Sequence, residues 1–327
     1  MSLAHLVRIL GRGPGRARSL TEAEASEAMG LILAGNAAPE AVGALFMLMR
    51  YRGESPGEIA GFVRAMREET ADWATCGAAL DWPSYAAGRS RGAPYFVLSA
   101  RLIAAAGYPV LLHGWNGANQ GPSATRPALA SVGIPTAATP KAARAALATQ
   151  AIVYVPLEDL SPRLFDLIRL RDVLGLRSPV NTCLRSLNPS RAPAAVQGVF
   201  HPVFRGLQQQ AASLLGDTDQ MVLKGGGGEF ERNPAKPIQL FGLKDGVDFR
   251  DMAPALRSEH RRLAADAAKT GDLAALWSGR VDDTFAVDTV TGTAALALIA
   301  LGAEQDHAAA QSRAEALWAD RNPAVAA

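Results

Sequence analysis

Four segments of this chain combine glycine with charge in patterns suited to handling anions. Gly88-Arg89-Ser90-Arg91-Gly92 sets two arginines and a serine between glycines. As G-x-S-x-G it matches the nucleophile elbow of hydrolases, which needs a buried strand before it and a helix directly after. The stretch upstream, Trp82-Pro83-Ser84-Tyr85-Ala86-Ala87, reads as a poor buried strand, and Pro94 follows. The same residues suit a phosphate better. Glycines admit close backbone approach, Arg89 and Arg91 give forked donors, and a helix amino terminus near Pro94 favours negative charge. Leu112-His113-Gly114-Trp115 is a strand end running into glycines. His113 reads as a hydrogen-bonded structural residue rather than a metal ligand, because no H-E-x-x-H accompanies it. Trp115 reads either as a ring for stacking on a base or as core. Lys224-Gly225-Gly226-Gly227-Gly228-Glu229-Phe230-Glu231 is either a phosphate cradle of free backbone amides or a plain flexible turn, and it is not a nucleotide P-loop. Glu229 and Glu231 alone are a thin basis for a magnesium site. Arg169, Arg171, Arg177, Arg185 and Arg191 form the densest basic stretch, which favours polyanion contact over a merely solvated helix face.

The charge distribution points the same way. Net charge over 327 residues is only +2. Residues 1–81 carry a balance of −2, residues 82–226 one of +8, and residues 227–327 one of −4. A basic middle between acidic ends implies an anion-binding surface or, at the least, a solvated basic face. Hydrophobic residues make up 49% and charged residues 20%, which excludes a disordered, collagenous or coiled-coil chain. Two cysteines, Cys76 and Cys183, make neither a disulfide framework nor a thiolate zinc site. Residues 1–10 lack the apolar stretch of a signal peptide, and the run at 293–302 is shorter than the roughly 20 residues of a membrane span. The expectation is a soluble, cytoplasmic protein.

The elements that must position these residues fall into two textures. Thr21 with Glu24, and Ser55 with Glu58 and Pro56, are capping boxes that open helices. Pro39 opens another over 40–51, with Val42, Leu45, Phe46 and Met49 on one face. The first 70 residues thus read as three or four short amphipathic helices, which pack either on a second copy or on the rest of the chain. From residue 79 onward, short apolar runs alternate with helical patterns. Helices are predicted over 95–106, 141–148, 163–174 and 293–301. Strands are predicted over 108–113, 151–155, 197–200, 220–223 and 238–240. That alternation predicts an α/β fold with a largely parallel sheet, whose ligands bind beyond the carboxyl ends of strands. The loops at 88–92, 113–121 and 224–231 are the ones to inspect.

Together these segments resemble the anthranilate phosphoribosyltransferase family, glycosyltransferase family 3, over nearly the whole chain. The opening from Leu20-Thr21-Glu22 to Gly35, and Arg50-Tyr51-Arg52-Gly53-Glu54-Ser55-Pro56-Gly57-Glu58-Ile59-Ala60-Gly61, resemble that family's helical domain. The resemblance implies a helical domain at 1–75, joined by helices near 160–180, beside an α/β domain at 76–327, of the phosphoribosyltransferase or nucleoside phosphorylase type. It also implies a homodimer formed through the helices. The functional motifs match in part. The G-T-G-G-D loop falls on Ala87 to Gly92, with arginine in place of the acid. F-N-I-S-T becomes Phe96-Val97-Leu98-Ser99-Ala100, and K-H-G-N-R becomes Leu112-His113-Gly114-Trp115-Asn116. Arg171, Leu174 and Gly175 keep the Arg-x-x-Leu-Gly element, and the Asp-Glu pair that holds magnesium becomes Phe230-Glu231. Carboxylates are lost and arginines gained, which repels magnesium and attracts a bare phosphate. The pattern is similar to the YbiB-like, nucleic-acid-binding branch of the family. On that reading Arg89, Arg91, Arg171, Arg177, Arg185, Arg191 and Lys224 line a basic groove for DNA or RNA, with no cofactor. The alternative is a pentosyltransferase using Ser99, His113 and Arg171, with magnesium at Glu231.

Overall fold

In the computed structural model of the chain, residues 2–86, 92–115, 124–259 and 271–326 are described. Four helices come first: α1 Ala4–Gly11, α2 Glu22–Leu33, α3 Pro39–Arg52 and α4 Pro56–Glu69. Both capping boxes form, with Thr21 and Ser55 accepting from Glu24 N and Glu58 N and the glutamates reaching back to the cap amides. Glu58 does more than cap. Its buried carboxylate accepts from Ser55 N at 2.8 Å and from Leu20 N at 2.9 Å, tying α4 to the chain before α2.

The remainder alternates. It runs β1 Leu80–Ser84, α5 Phe96–Ala105, β2 Val110–Gly114, α6 Thr125–Ser131, α7 Pro140–Gln150, β3 Ile152–Pro156, α8 Leu157–Leu160, α9 Pro162–Leu174 and α10 Val180–Cys183. It continues with β4 Ala194–Val199, α11 Phe204–Leu215, β5 Asp219–Lys224, β6 Ile238–Lys244, β7 Val247–Ala253, α12 Gly271–Trp277, α13 Thr284–Ala300 and α14 His307–Ala319. The seven strands form one sheet in the order β3-β2-β1-β4-β5-β6-β7, parallel from β3 to β5 and antiparallel at β6 and β7. The expected α/β class with a mostly parallel sheet is the observed one.

Side-chain alternation sends each strand into two cores. Leu80, Trp82, Val110, Leu112, Ile152 and Tyr154 face a core made with α5 and α13. Leu111, Val153, Val155 and Tyr85 face a core shared with the four opening helices, α9 and α10. Leu164 and Ile168 of α9 lie in that second core, and Ser161 and Arg163 bond Glu69. Among the described residues, no helix is long and apolar enough to cross a membrane.

Several elements differ from expectation. The first half of the stretch read as a poor strand, Trp82-Pro83-Ser84, belongs to β1, which lies inside the sheet and is buried along its whole length. Its Pro83 is tolerated because β1 pairs with β4 only at Leu80 and Asp81, so the missing N–H falls beyond that ladder. The upstream-strand objection to a nucleophile elbow therefore falls, although Ser90 lies outside the described residues. β4 begins three residues earlier than expected. β6 continues into a hairpin with β7 through Asp245-Gly246, both at positive φ, a turn signal present in the sequence. α13 begins at Thr284, where Asp283 caps it through Phe285 N and Ala286 N.

Candidate binding cleft

Beyond the carboxyl end of β4 the chain encloses a cleft of about 390 Å³, where an α/β sheet presents its ligand sites. Two stretches distant in sequence supply its cations: Arg50 from the end of α3, and Arg177 and Arg185 from the segment after α9 and the turn after α10. Phe200 and His201 bring rings to it from the β4–α11 connection, Phe204 from the first position of α11, and Gly227 brings the glycine-rich loop.

The electrostatics are those of crowded cations. The Arg185 guanidinium is fully enclosed and donates to Asn181 O at 2.6 Å and Tyr85 O at 3.2 Å. Burial pulls its pKa down to about 10, with Glu229 opposing and Arg177 adding to the fall. It therefore stays charged at neutral pH. Burial likewise lowers Arg177, helped by Arg171 and Arg50. Arg50 has one acidic neighbour, Glu54 at 3.7 Å, whose carboxyl is itself raised by burial.

Of the expected basic residues that are described, the structure brings some to this cleft and places Arg191 elsewhere. Arg177 and Arg185 line the cleft, and Arg171 stands in the last turn of α9, close enough to perturb Arg177. Lys224, exposed at the end of β5, holds its Nζ 6.0 Å from the Phe200 ring centroid. Arg191 lies apart, just before β4 at the amino end of the sheet. It donates to Arg67 O at 2.9 Å and borders a separate hollow with Asn188, Asp217 and Asp219. Arg89 and Arg91 lie outside the described residues.

The residues assigned to the alternative chemistry sit in structural contacts. Ser99 is buried and donates to Val290 O at 2.9 Å, joining α5 to α13. His113 is buried, with Nδ1 2.7 Å from Tyr85 Oη and Nε2 3.3 Å from Asp81 Oδ1, which matches its reading as a structural histidine. The 3.3 Å approach between His113 Nε2 and Asp81 Oδ1 does not have hydrogen-bond geometry. Trp115 packs into the core edge-on to Phe165, not into a base site.

The amino end of α5, expected to receive a phosphate, already faces a carboxylate: Phe96 N donates to Glu231 Oε2 at 3.0 Å. Glu229 accepts from Ser84 Oγ at 3.0 Å and Ala86 N at 3.2 Å. The glycine-rich loop is a close-packed structure and not an open cradle. Gly225 N donates to Val199 O, Gly226 N to Glu231 O, Gly228 N to Gly225 O and Glu229 N to Gly226 O. A Cβ on Gly198 or Gly225 would collide with the Glu229 backbone at 1.9 or 1.6 Å, which is why glycine stands there. Composition marked the basic middle of the chain and Arg50 stood in a segment read only as helical domain, but Phe200 and His201 carried no motif that would single them out.

This frame has known counterparts. Residues 4–70 match the helical bundle domain of the glycosyl transferase family. The chain is 31% identical over 316 residues to an anthranilate phosphoribosyltransferase of Geobacillus stearothermophilus, covering 91% of this chain and 89% of that one. It is 29% identical over 306 residues to that of Rhodospirillum rubrum, covering 91% and 87%. The crystal structure of anthranilate phosphoribosyltransferase from Thermus thermophilus superposes with a TM-score of 0.81 at 23% identity, over 98% of this chain and 95% of that one. The yeast enzyme in complex with PRPP and Mg superposes with a TM-score of 0.78 at 14% identity, over 99% and 95%. With the bundle domain matched and relatives about 30% identical almost end to end, the chain belongs to the anthranilate phosphoribosyltransferase family, glycosyltransferase family 3.

Proposed function

We propose that this chain uses the family's interdomain cleft to bind the backbone phosphates of a nucleic acid without magnesium. The supporting observation is the joint fate of the charges. Arg50, Arg177 and Arg185 converge on one cleft, while the carboxylates near it are turned into the protein. A magnesium diphosphate site needs oxygen ligands free to hold the cation. Here Glu231 caps α5, Ser99 bonds Val290 O, and the residue beside Glu231 is Phe230, packed edge-on against Trp82. Among the described residues there is no group of three or more His, Cys, Asp or Glu that could hold a metal ion. These residues do not fit magnesium. Arginine forks match phosphate geometry and carry no requirement for a metal.

A second reading is phosphoribosyl transfer to a base or amine. It is favoured by the relatives, which are named anthranilate phosphoribosyltransferases across about nine-tenths of this chain. One pair of titrations separates the two. On the binding reading, affinity for an oligonucleotide falls steeply with salt, and Arg177→Gln lowers the slope of log K against log salt by about 1. Phosphoribosyl pyrophosphate then shows no affinity that depends on magnesium. Tight magnesium-dependent binding of that donor, with a flat salt response to oligonucleotide, establishes the transferase instead.

A further inference from the structure

Phe200 is 52% exposed at the mouth of the cation-lined cleft. Scattered exposed apolar residues are ordinary on any surface and mean little singly. This one is set apart by how it is held. It directly follows β4, and Val199 pairs in register with Lys224, so the lysine stands beside it on the neighbouring strand. The Lys224 Nζ lies 6.0 Å from the ring centroid, and the His201 ring meets it edge-on at 4.8 Å. Behind it, a Cβ added at Gly228 would come 3.4 Å from Phe200 Cβ, so the glycine-rich loop closes against its backbone. The seat is packed and the ring is open.

We infer that Phe200 is a stacking platform for one unpaired base of a single-stranded nucleic acid, with flanking phosphates held by Lys224 and the cleft arginines. This rests on the nucleic-acid reading above and narrows it. A flat ring beside fixed cations matches a ligand that alternates π-faces with phosphates, the design of single-strand sites. A duplex keeps both faces of each internal base stacked and has none to offer. A sugar diphosphate has no π-face, so the exposed ring would do nothing for it.

The test uses the full chain and four probes in magnesium-free buffer: an oligonucleotide of about 12 nucleotides, within the usual length for such sites, an abasic phosphodiester of the same length, the matching duplex, and anthranilate. Phe200→Ala is expected to weaken the oligonucleotide by about 5- to 150-fold, the range for losing one stacked base, and to leave the abasic strand unchanged. Phe200→Trp restores the oligonucleotide affinity. Equal losses on both single strands, or no loss on either, overturn the platform while leaving nucleic-acid binding standing. A wild-type chain that binds no oligonucleotide removes the reading beneath it as well. A Phe200→Ala defect confined to an aromatic amine such as anthranilate overturns the platform in favour of the transferase.

Discussion

Glu231 shows how one residue decides between two chemistries. Its carboxylate is wholly buried and accepts from Phe96 N, where the first turn of α5 has an amide that needs a partner and a dipole that favours an anion. Glu231→Ala should therefore lower stability by about 1–3 kcal/mol, the cost of leaving such a donor unpaired, as read by urea denaturation with magnesium absent. A metal ligand behaves in the opposite way: its removal leaves the metal-free protein as stable as before and abolishes a magnesium response. The carboxylate at this position was legible in the sequence. Its partner was not, because Phe96 lies 135 residues away in the chain and only the fold brings the amide to it. The same holds for Ser99 and Val290 O, 191 residues apart. Residue type gave the capacity to bind a cation or an amide, and tertiary contact gives Glu231 the Phe96 amide.

At the scale of elements, two glycines in the bundle make opposite predictions from the same substitution. Gly30 is exposed inside α2 with nothing near its missing Cβ, so Gly30→Ala should stabilise by about 0.5–1 kcal/mol through helix propensity and backbone entropy. Gly61 in α4 has the same propensity gain available. Its Cβ, however, would lie 2.2 Å from Glu22 O and 2.7 Å from Ala25 Cβ, where α2 and α4 cross in contact. Overpacking of that kind costs about 1–3 kcal/mol or more, so Gly61→Ala should destabilise. Thermal melts of the two variants side by side check both signs, and matching signs would show that the crossing yields. The helices themselves were readable because their caps are local: Thr21 with Glu24, and Ser55 with Glu58, fix the starts of α2 and α4 within four residues. β1 was unreadable for the converse reason. Trp82 and Pro83 are poor local signals, and the strand exists because β2 and β4 flank it and two helical layers cover it. The β6–β7 hairpin lies between, since Asp245-Gly246 is a local turn signal, but only the finished sheet gives β7 a partner.

The whole molecule brings Arg50, from the end of α3, to the same cleft as Arg177 and Arg185, more than a hundred residues on, so segments far apart in the chain meet there through like charges. Like charges brought close in a partly buried site raise the free energy of the empty state, and an anion placed between them lowers it. By linkage, any ligand that binds only the folded form raises stability by RT ln(1 + [L]/Kd), about 2.7 kcal/mol at a hundredfold excess over Kd. For a chain of 327 residues, that corresponds to a rise of about 4 °C in Tm, taking about 2.1 cal/mol/K of unfolding entropy per residue. Inorganic triphosphate in chelator-treated buffer is a suitable probe, since it carries the phosphate charge and nothing else. The rise should shrink as salt screens the cleft, and it should shrink again in Arg177→Gln. Magnesium decides the sign of the last step. It neutralises triphosphate in solution, so a cleft held together by arginines loses the ligand and the Tm falls back when the ion is added. A transferase site that takes its diphosphate as the magnesium complex gains from the same addition, and a further rise in Tm with magnesium would assign this cleft to catalysis.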